Sequence, residues 1–143
     1  MDRPPSIVRF EQLYFISFAL NLLAIALSWR VQEAALATNP QLAQIPWFLP
    51  VAAVVRIGIA LLLWWFVARR GSVVAKWIVV VFAVFGGFGL LAALYGLVLG
   101  SLGPITALVS IASAALYIWA AVLLFRPDAR LWFGEVPAEE PLA

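Results

Sequence analysis

The fold is decided by a long apolar stretch, WFLPVAAVVRIGIALLLWWFVA at residues 47–68, which contains a single charged side chain, Arg56. A helix rises about 1.5 Å per residue, so a helix of this length spans the hydrocarbon core of a bilayer, which is about 30 Å thick. The stretch ends at Arg69 and Arg70, and basic residues beside an apolar run are typical of a membrane boundary. The sequence here therefore predicts a transmembrane helix.

Three further apolar stretches of similar length accompany it along the chain. The segment between the first two, residues 29–46, is polar and contains the helix breakers Asn39, Pro40 and Pro46, so we expect a loop there, with or without a short surface helix. A short tail, residues 126–143, follows the last stretch. One membrane domain thus accounts for the chain. The four predicted spans are 7–28, 47–68, 76–99 and 104–125.

Composition agrees with an all-α, polytopic membrane protein. The chain has 143 residues, of which 66% are hydrophobic and 11% charged, whereas soluble domains have roughly a quarter of charged residues. It contains no cysteine and no histidine, which excludes disulfides, the usual zinc sites and His-ligated haem. We expect no metal and no cofactor. The basic residues flank the apolar runs, so the net charge of +2 does not indicate a nucleic-acid partner.

The basic residues also predict the orientation of the helices. Seven of them flank the spans on one side, Arg30 lies on the other, and Arg56 is inside a span. Since positive residues stay in the cytoplasm, we predict an up-down-up-down bundle in a bacterial inner membrane with both termini cytoplasmic. The seven are Arg3, Arg9, Arg69, Arg70, Lys76, Arg126 and Arg130.

Small residues on the third span predict how the helices pack. Helices in lipid associate through close contacts at small residues, and Gly86, Gly89, Gly96 and Gly100 form such a stripe. Gly96 and Gly100 have GxxxG spacing. We interpret the stripe as the face of the third helix that packs on the fourth. The alternative is that the same face forms a homo-oligomer.

Arg56 is the residue with most functional promise. It lies about 13 Å into its span, near the middle of the membrane, where an arginine costs roughly 2.5–3.5 kcal/mol to insert. Residues at matching depth predict a polar centre in which Asn21, Ser17, Ser113 and Tyr117 surround Arg56. An anion between the helices, such as a lipid phosphate, a carboxylate or a small ion, would then bind Arg56. The alternative is a structural arginine that snorkels outward, or pairs with Glu33 or helix-end carbonyls.

The tail carries a second set of candidate residues. Arg130 and Trp132 are placed to anchor a short helix in the membrane interface, and a docking site for a cytoplasmic partner is the alternative. Basic residues at the inner boundary could contact anionic lipid headgroups, but three of them are fewer than a dedicated lipid site has, so we assign them to topology. Those three are Arg69, Arg70 and Lys76.

The two ends of the chain resemble a known group. RPPSIVRFEQLY at residues 3–14 and LLFRPDARLWF at residues 123–133 look like the ends of small uncharacterised bacterial inner-membrane proteins. The second segment has a Phe, a Pro, an acidic residue, Ala-Arg and then Trp-Phe after the last helix. The resemblance implies a membrane protein of four transmembrane helices and identifies no site.

Taken together, these features favour a non-enzymatic membrane protein that acts as an interaction or accessory subunit, with a homo-oligomer or another membrane protein as partner. An enzyme is disfavoured because no nucleophile and base lie at matched depth. The alternatives are a small oligomeric channel or transporter, or a lipid-binding protein, for an anionic or amphipathic molecule. A cavity lined by Arg56 and its polar neighbours would favour the alternatives, whereas a dry, glycine-packed interior would favour the accessory role.

Overall fold

The computed structural model describes residues 3–135, and this part of the chain is helical apart from turns and loops. Four of the helices are long and apolar enough to cross a membrane, which confirms the predicted all-α class and indicates a multi-pass membrane protein. The helices are α1 (Pro5–Ala37), α2 (Phe48–Ala68), α3 (Val73–Val98), α4 (Pro104–Leu123) and α5 (Pro127–Trp132).

Helix α1 is longer than predicted. It continues through residues 29–37, which we expected to form a loop, because the segment RVQEAALA consists mainly of residues that favour helices. Trp29 Nε1 also donates to Glu33 Oε1 at 2.8 Å, one turn later. The helix ends only where Asn39 and Pro40 follow.

Helix α4 is the centre of the packing. It lies between α1 and α3 and packs closely against both, while α2 contacts α1 and α3 more loosely. Small buried side chains of α4, Ala107, Ser113 and Ala120 among them, allow this close approach. The result is a bundle of three tightly packed helices with α2 as the looser fourth.

One end of the molecule, which we call the basic end, contains the beginnings of α1 and α3, the end of α2, and α5. Helix α5 folds back over this end. The backbone N–H of Ser6 donates to Asp128 Oδ2 at 3.1 Å, and the Ser6 hydroxyl donates to the same oxygen. On the α2 side, Trp132 Nε1 donates to the carbonyl oxygen of Val67 at 3.1 Å. Helix α5 thus joins α1 to α2.

The turn between α2 and α3 requires a glycine. Gly71 has a left-handed φ of +57°, and a Cβ there would lie 2.6 Å from the carbonyl oxygen of Trp132. Beside this turn lies the apolar core, which includes the fully buried side chains of Phe10, Val67 and Leu124. The densest packing of the protein is therefore at the basic end.

Candidate functional site

All four long helices line a cavity of about 670 Å³ in the middle of the bundle. The lining residues of α1 and α4 are buried or half-buried, and those with high exposure belong to α2 and α3. The cavity therefore opens on the side of the molecule formed by α2 and α3. Most of its lining is apolar, with Phe18, Leu22, Ile59, Phe82 and Phe85 as examples.

The cavity exists because α2 is held to the bundle through its second half. Tyr14 Oη donates to the carbonyl oxygen of Ala60 at 2.8 Å, and Trp64 Nε1 donates to Glu11 Oε1 at 3.2 Å. On the facing wall, a Cβ added to Gly86 or Gly89 of α3 would have no neighbouring atom within 4 Å. The absence of side chains here leaves open space opposite the first half of α2.

Arg56 lies on the cavity wall with its side chain exposed. It is eight residues after the first residue of α2, or about 12 Å along the helix. Within residues 3–135 no carboxylate oxygen lies within 4 Å of its guanidinium nitrogens. Glu33 accepts from Trp29, and Glu11 pairs with Arg3 at 2.7 Å. Arg56 is therefore not paired with Glu33, one of the partners named in the structural alternative, whereas its exposed side chain leaves outward snorkelling as the other form of that alternative.

The four residues predicted to surround Arg56 all line the same cavity, but two of them are engaged elsewhere. Ser17 Oγ donates to the carbonyl oxygen of Ser113 at 2.8 Å, and Ser113 Oγ donates to that of Ser17 at 2.9 Å. This reciprocal pair holds α1 against α4. Asn21 and Tyr117 are thus the two predicted polar neighbours that line the cavity with Arg56 and take no part in the Ser17–Ser113 hydrogen bonds.

Some residues of the cavity were not predicted as part of a site. Tyr14 and Ser110 extend the polar lining, and the Tyr14 and Tyr117 rings lie 5.6 Å apart between their centroids. Tyr14 lies three residues before Ser17 and Ser110 three before Ser113, and this spacing was the available signal. Phe82 and Phe85 of α3 carried no such signal, because an aromatic residue in an apolar span is typical of a lipid-facing surface.

The glycine stripe of α3 does not act as a continuous packing face. Gly86 and Gly89 line the cavity instead of contacting a helix. A Cβ at Gly96 would lie 2.8 Å from Leu102 Cδ1, so this glycine packs against the turn before α4. Gly100 has a left-handed φ of +70° just after the end of α3. The expected packing of this stripe on α4 stays a prediction at Gly86 and Gly89, where a Cβ would have open space.

The tail also differs from a simple interfacial anchor. Arg130 is exposed, as an anchor would be, but Trp132 is half-buried and hydrogen-bonded to α2. Asp128 accepts from Ser6, and this hydrogen bond lowers the pKa of the Asp128 carboxyl below its usual range. Residues 136–143 of the predicted tail lie outside the described residues.

Lys76 was assigned to topology, yet it is the most buried charged residue of the part of the chain that the structure describes. Its exposed fraction is 1%, and its Nζ lies 2.7 Å from Glu135 Oε2. The ammonium also lies over two aromatic rings, 4.6 Å from the centroid of Phe125 and 5.1 Å from that of Phe133. Phe125 at the end of the fourth predicted span and Phe133 in the tail were the available sequence signal for these contacts.

The cavity combines one cation with neutral hydrogen-bonding groups. Among the described residues, 3–135, Arg56 is the only charged residue in the lining, and no carboxylate lines it. A guanidinium, an amide and hydroxyls can orient and neutralise an anion, and the surrounding apolar side chains suit a hydrocarbon. No family model matches this sequence, no curated protein matches it, and no solved structure matches its fold.

Proposed function

We propose that this membrane protein binds an amphipathic anion in the cavity between its four long helices. Arg56 contacts the negative charge, and the apolar lining holds the hydrocarbon. The observation that carries the proposal is an arginine in the middle of a span, on a cavity wall, with no carboxylate partner among residues 3–135. An anionic lipid or a related amphiphile of the surrounding bilayer is the natural ligand class.

The energetics of Arg56 favour a ligand. A charged arginine near the middle of a span costs roughly 2.5–3.5 kcal/mol to insert, and such residues usually face a partner or a water-filled cavity. The cavity volume of about 670 Å³ lies within the range typical of small-molecule sites. An anion would offset the cost of the uncompensated charge.

The proposed orientation in the membrane and the side on which the cavity opens define how the ligand reaches Arg56. We place the protein in a bacterial inner membrane as an up-down-up-down bundle with both termini in the cytoplasm. The grouping of Arg3, Arg69 and Lys76 at the basic end supports this orientation, because positive residues stay on the cytoplasmic side. The ligand then enters sideways from the bilayer, between α2 and α3.

The other roles fit less well. A channel needs an open path through the bundle, whereas α5 and the apolar core close the basic end, and a transporter stays a prediction. A dry, glycine-packed interior would have favoured an accessory subunit, and the centre of the bundle is a cavity instead. The accessory role and a homo-oligomer stay predictions.

Native mass spectrometry of protein gently extracted from its own membrane tests the proposal. We expect the wild type to retain an anionic molecule, Arg56→Leu to lose it, and Arg30→Leu to keep it. Arg30 is a matched control because it is an exposed arginine outside the cavity lining. If Arg56→Leu retains the same ligand as the wild type, or if no form retains any, Arg56 is not a binding residue.

A further inference from the structure

We infer that the ligand of this cavity is a single-chain amphiphile with one negative charge, namely a long-chain carboxylate. This inference rests on the proposed function, because it names the molecule that the Arg56 site takes. It follows from three properties of the cavity: its volume, its charge and the shape of its walls.

The volume limits the number of atoms in the ligand. A cavity of about 150 Å³ holds benzene, with its six carbons, so about 670 Å³ holds roughly 25 non-hydrogen atoms. A long-chain carboxylate lies below this limit. A phospholipid with two acyl chains has roughly twice that number of atoms, so one of its chains would lie outside the cavity.

The polar lining limits the head of the ligand. Arg56 supplies one positive charge, which neutralises one negative charge. Its planar guanidinium matches the two oxygens of a carboxylate. Asn21, Ser110 and Tyr117 are the other polar side chains of the lining that make no side-chain hydrogen bond to a described residue. Such a small polar set suits a carboxylate better than a glycerophosphate head, which presents several hydroxyl and ester oxygens.

The length of the cavity decides how a hydrocarbon chain lies in it. Its lining runs along α1 from Tyr14 to Ile25 and along α2 from Ala52 to Leu63, which is about 16 Å of helix in each case. Arg56 lies between the ends of this length. From Arg56 the lining of α2 extends about 10 Å to Leu63, which is less than a sixteen-carbon chain needs when extended, so the hydrocarbon bends within the cavity beside Gly86 and Gly89 of α3.

Two glycines of α3 provide a matched pair of variants that test where the hydrocarbon of the ligand lies. Gly89 lines the cavity, Gly87 does not, and an added Cβ has no neighbour within 4 Å at either position. Gly89→Leu should therefore occupy part of the space meant for the hydrocarbon. Gly87→Leu adds the same side chain to the same helix without entering the cavity.

The experiment measures saturable binding of tritiated hexadecanoate to the full chain in nanodiscs of phosphatidylcholine, a lipid without net charge. We expect hexadecan-1-ol to compete at least about tenfold more weakly than unlabelled hexadecanoate, because the charge-assisted hydrogen bonds are lost. Dihexadecanoyl phosphatidylglycerol should compete about tenfold more weakly, and acetate should not compete. Arg56→Leu and Gly89→Leu should each weaken binding about tenfold or more, while Gly87→Leu leaves it unchanged.

The outcomes separate the inference from the proposed function. If phosphatidylglycerol competes as well as hexadecanoate, and Arg56→Leu weakens both, the single-chain inference is overturned while the proposed function stands. Equal competition by hexadecan-1-ol, or binding that Arg56→Leu leaves unchanged, overturns both. If Gly89→Leu and Gly87→Leu change hexadecanoate binding equally, the placement of the ligand's hydrocarbon beside α3 is overturned.

Discussion

The basic end and the central cavity differ in whether their charged side chains have partners. At the basic end Lys76 is buried and lies 2.7 Å from Glu135 Oε2, and Asp128 accepts two hydrogen bonds from Ser6. In the cavity Arg56 has no carboxylate within 4 Å among residues 3–135. Both regions belong to one small bundle, and both contain charge within or beside apolar surroundings.

The difference separates structural charge from functional charge. A buried ion pair whose partners are matched holds elements in register, and losing one partner is costly. A single charge without a partner is a cost to the folded protein, unless something outside the chain completes it. We therefore assign stability to the basic end and binding to the cavity, and removal of charge from the two regions should have opposite effects on stability.

The largest effect is expected at the buried pair of the basic end. Glu135→Ala should lower the free energy of unfolding by about 2–3 kcal/mol, less than for a fully buried pair because 26% of the Glu135 side chain is exposed. Lys76→Met, which keeps the length and removes the charge, should cost much less. Unfolding titrations in sodium dodecyl sulfate, followed by circular dichroism, measure both. Equal losses in the two variants would contradict the assignment of Lys76 as the costly charge.

The second effect has the opposite sign. Arg56→Leu should raise the free energy of unfolding by about 1–2 kcal/mol in ligand-free protein, less than the full insertion cost because the cavity exposes the guanidinium. The same titration measures this change, with Arg30→Leu as the control outside the cavity. A loss of stability in Arg56→Leu comparable to that in Glu135→Ala would show that Arg56 has a structural role and would remove the contrast between the two regions.

A smaller effect is expected at Ser17 and Ser113, the hydrogen-bonded serine pair that lines the cavity. Ser17→Ala and Ser113→Ala should each lower stability by about 0.6 kcal/mol, the average for hydrogen bonds between membrane helices. Each hydroxyl donates to a backbone carbonyl, which the other substitution retains. The two effects should therefore add in the double variant. A double variant no less stable than either single one would mean that the two bonds depend on each other.

The smallest effect concerns pH at the basic end. The hydrogen bond from Ser6 lowers the pKa of Asp128 in the folded protein, so its contribution to stability is present above the ordinary aspartate pKa of about 3.9 and is lost as the pH falls through the folded value. Asp128→Asn should cost about 0.5 kcal/mol at neutral pH, where it replaces a charged acceptor with a neutral one. The difference should vanish in acid. Unfolding titrations at several pH values test this, and a difference that persists at low pH would contradict it.

The local elements of the fold could be predicted from the sequence. Length and hydropathy identified four spans, and matching depth in the membrane identified Ser17 and Ser113, whose side chains meet in the bundle. These properties depend on neighbours along the chain. The end of α1 was misplaced because the weak polarity of residues 29–37 suggested a loop, although their helix propensity is high.

The distances between helices could not be predicted in the same way. The glycines Gly86 and Gly89 are compatible with two arrangements: two helices can pack closely at them, or a cavity can form beside them. The sequence is the same in both cases. The choice depends on how α2 is attached through Tyr14 and Glu11, which are contacts between distant parts of the chain. The burial of Lys76 likewise depends on α5 folding back over the basic end.

The central claim is that an amphipathic anion occupies the cavity beside Arg56, and photo-crosslinking tests it most directly. A hexadecanoate analogue with a diazirine on its chain would be bound to the protein in nanodiscs, irradiated, and mapped by peptide mass spectrometry. We predict labels on cavity residues such as Phe82, Phe85 and Gly89, which disappear with excess hexadecanoate and in Arg56→Leu. Labels spread equally over exposed residues outside the cavity, such as Trp119 and Leu131, and insensitive to Arg56→Leu, would contradict the claim.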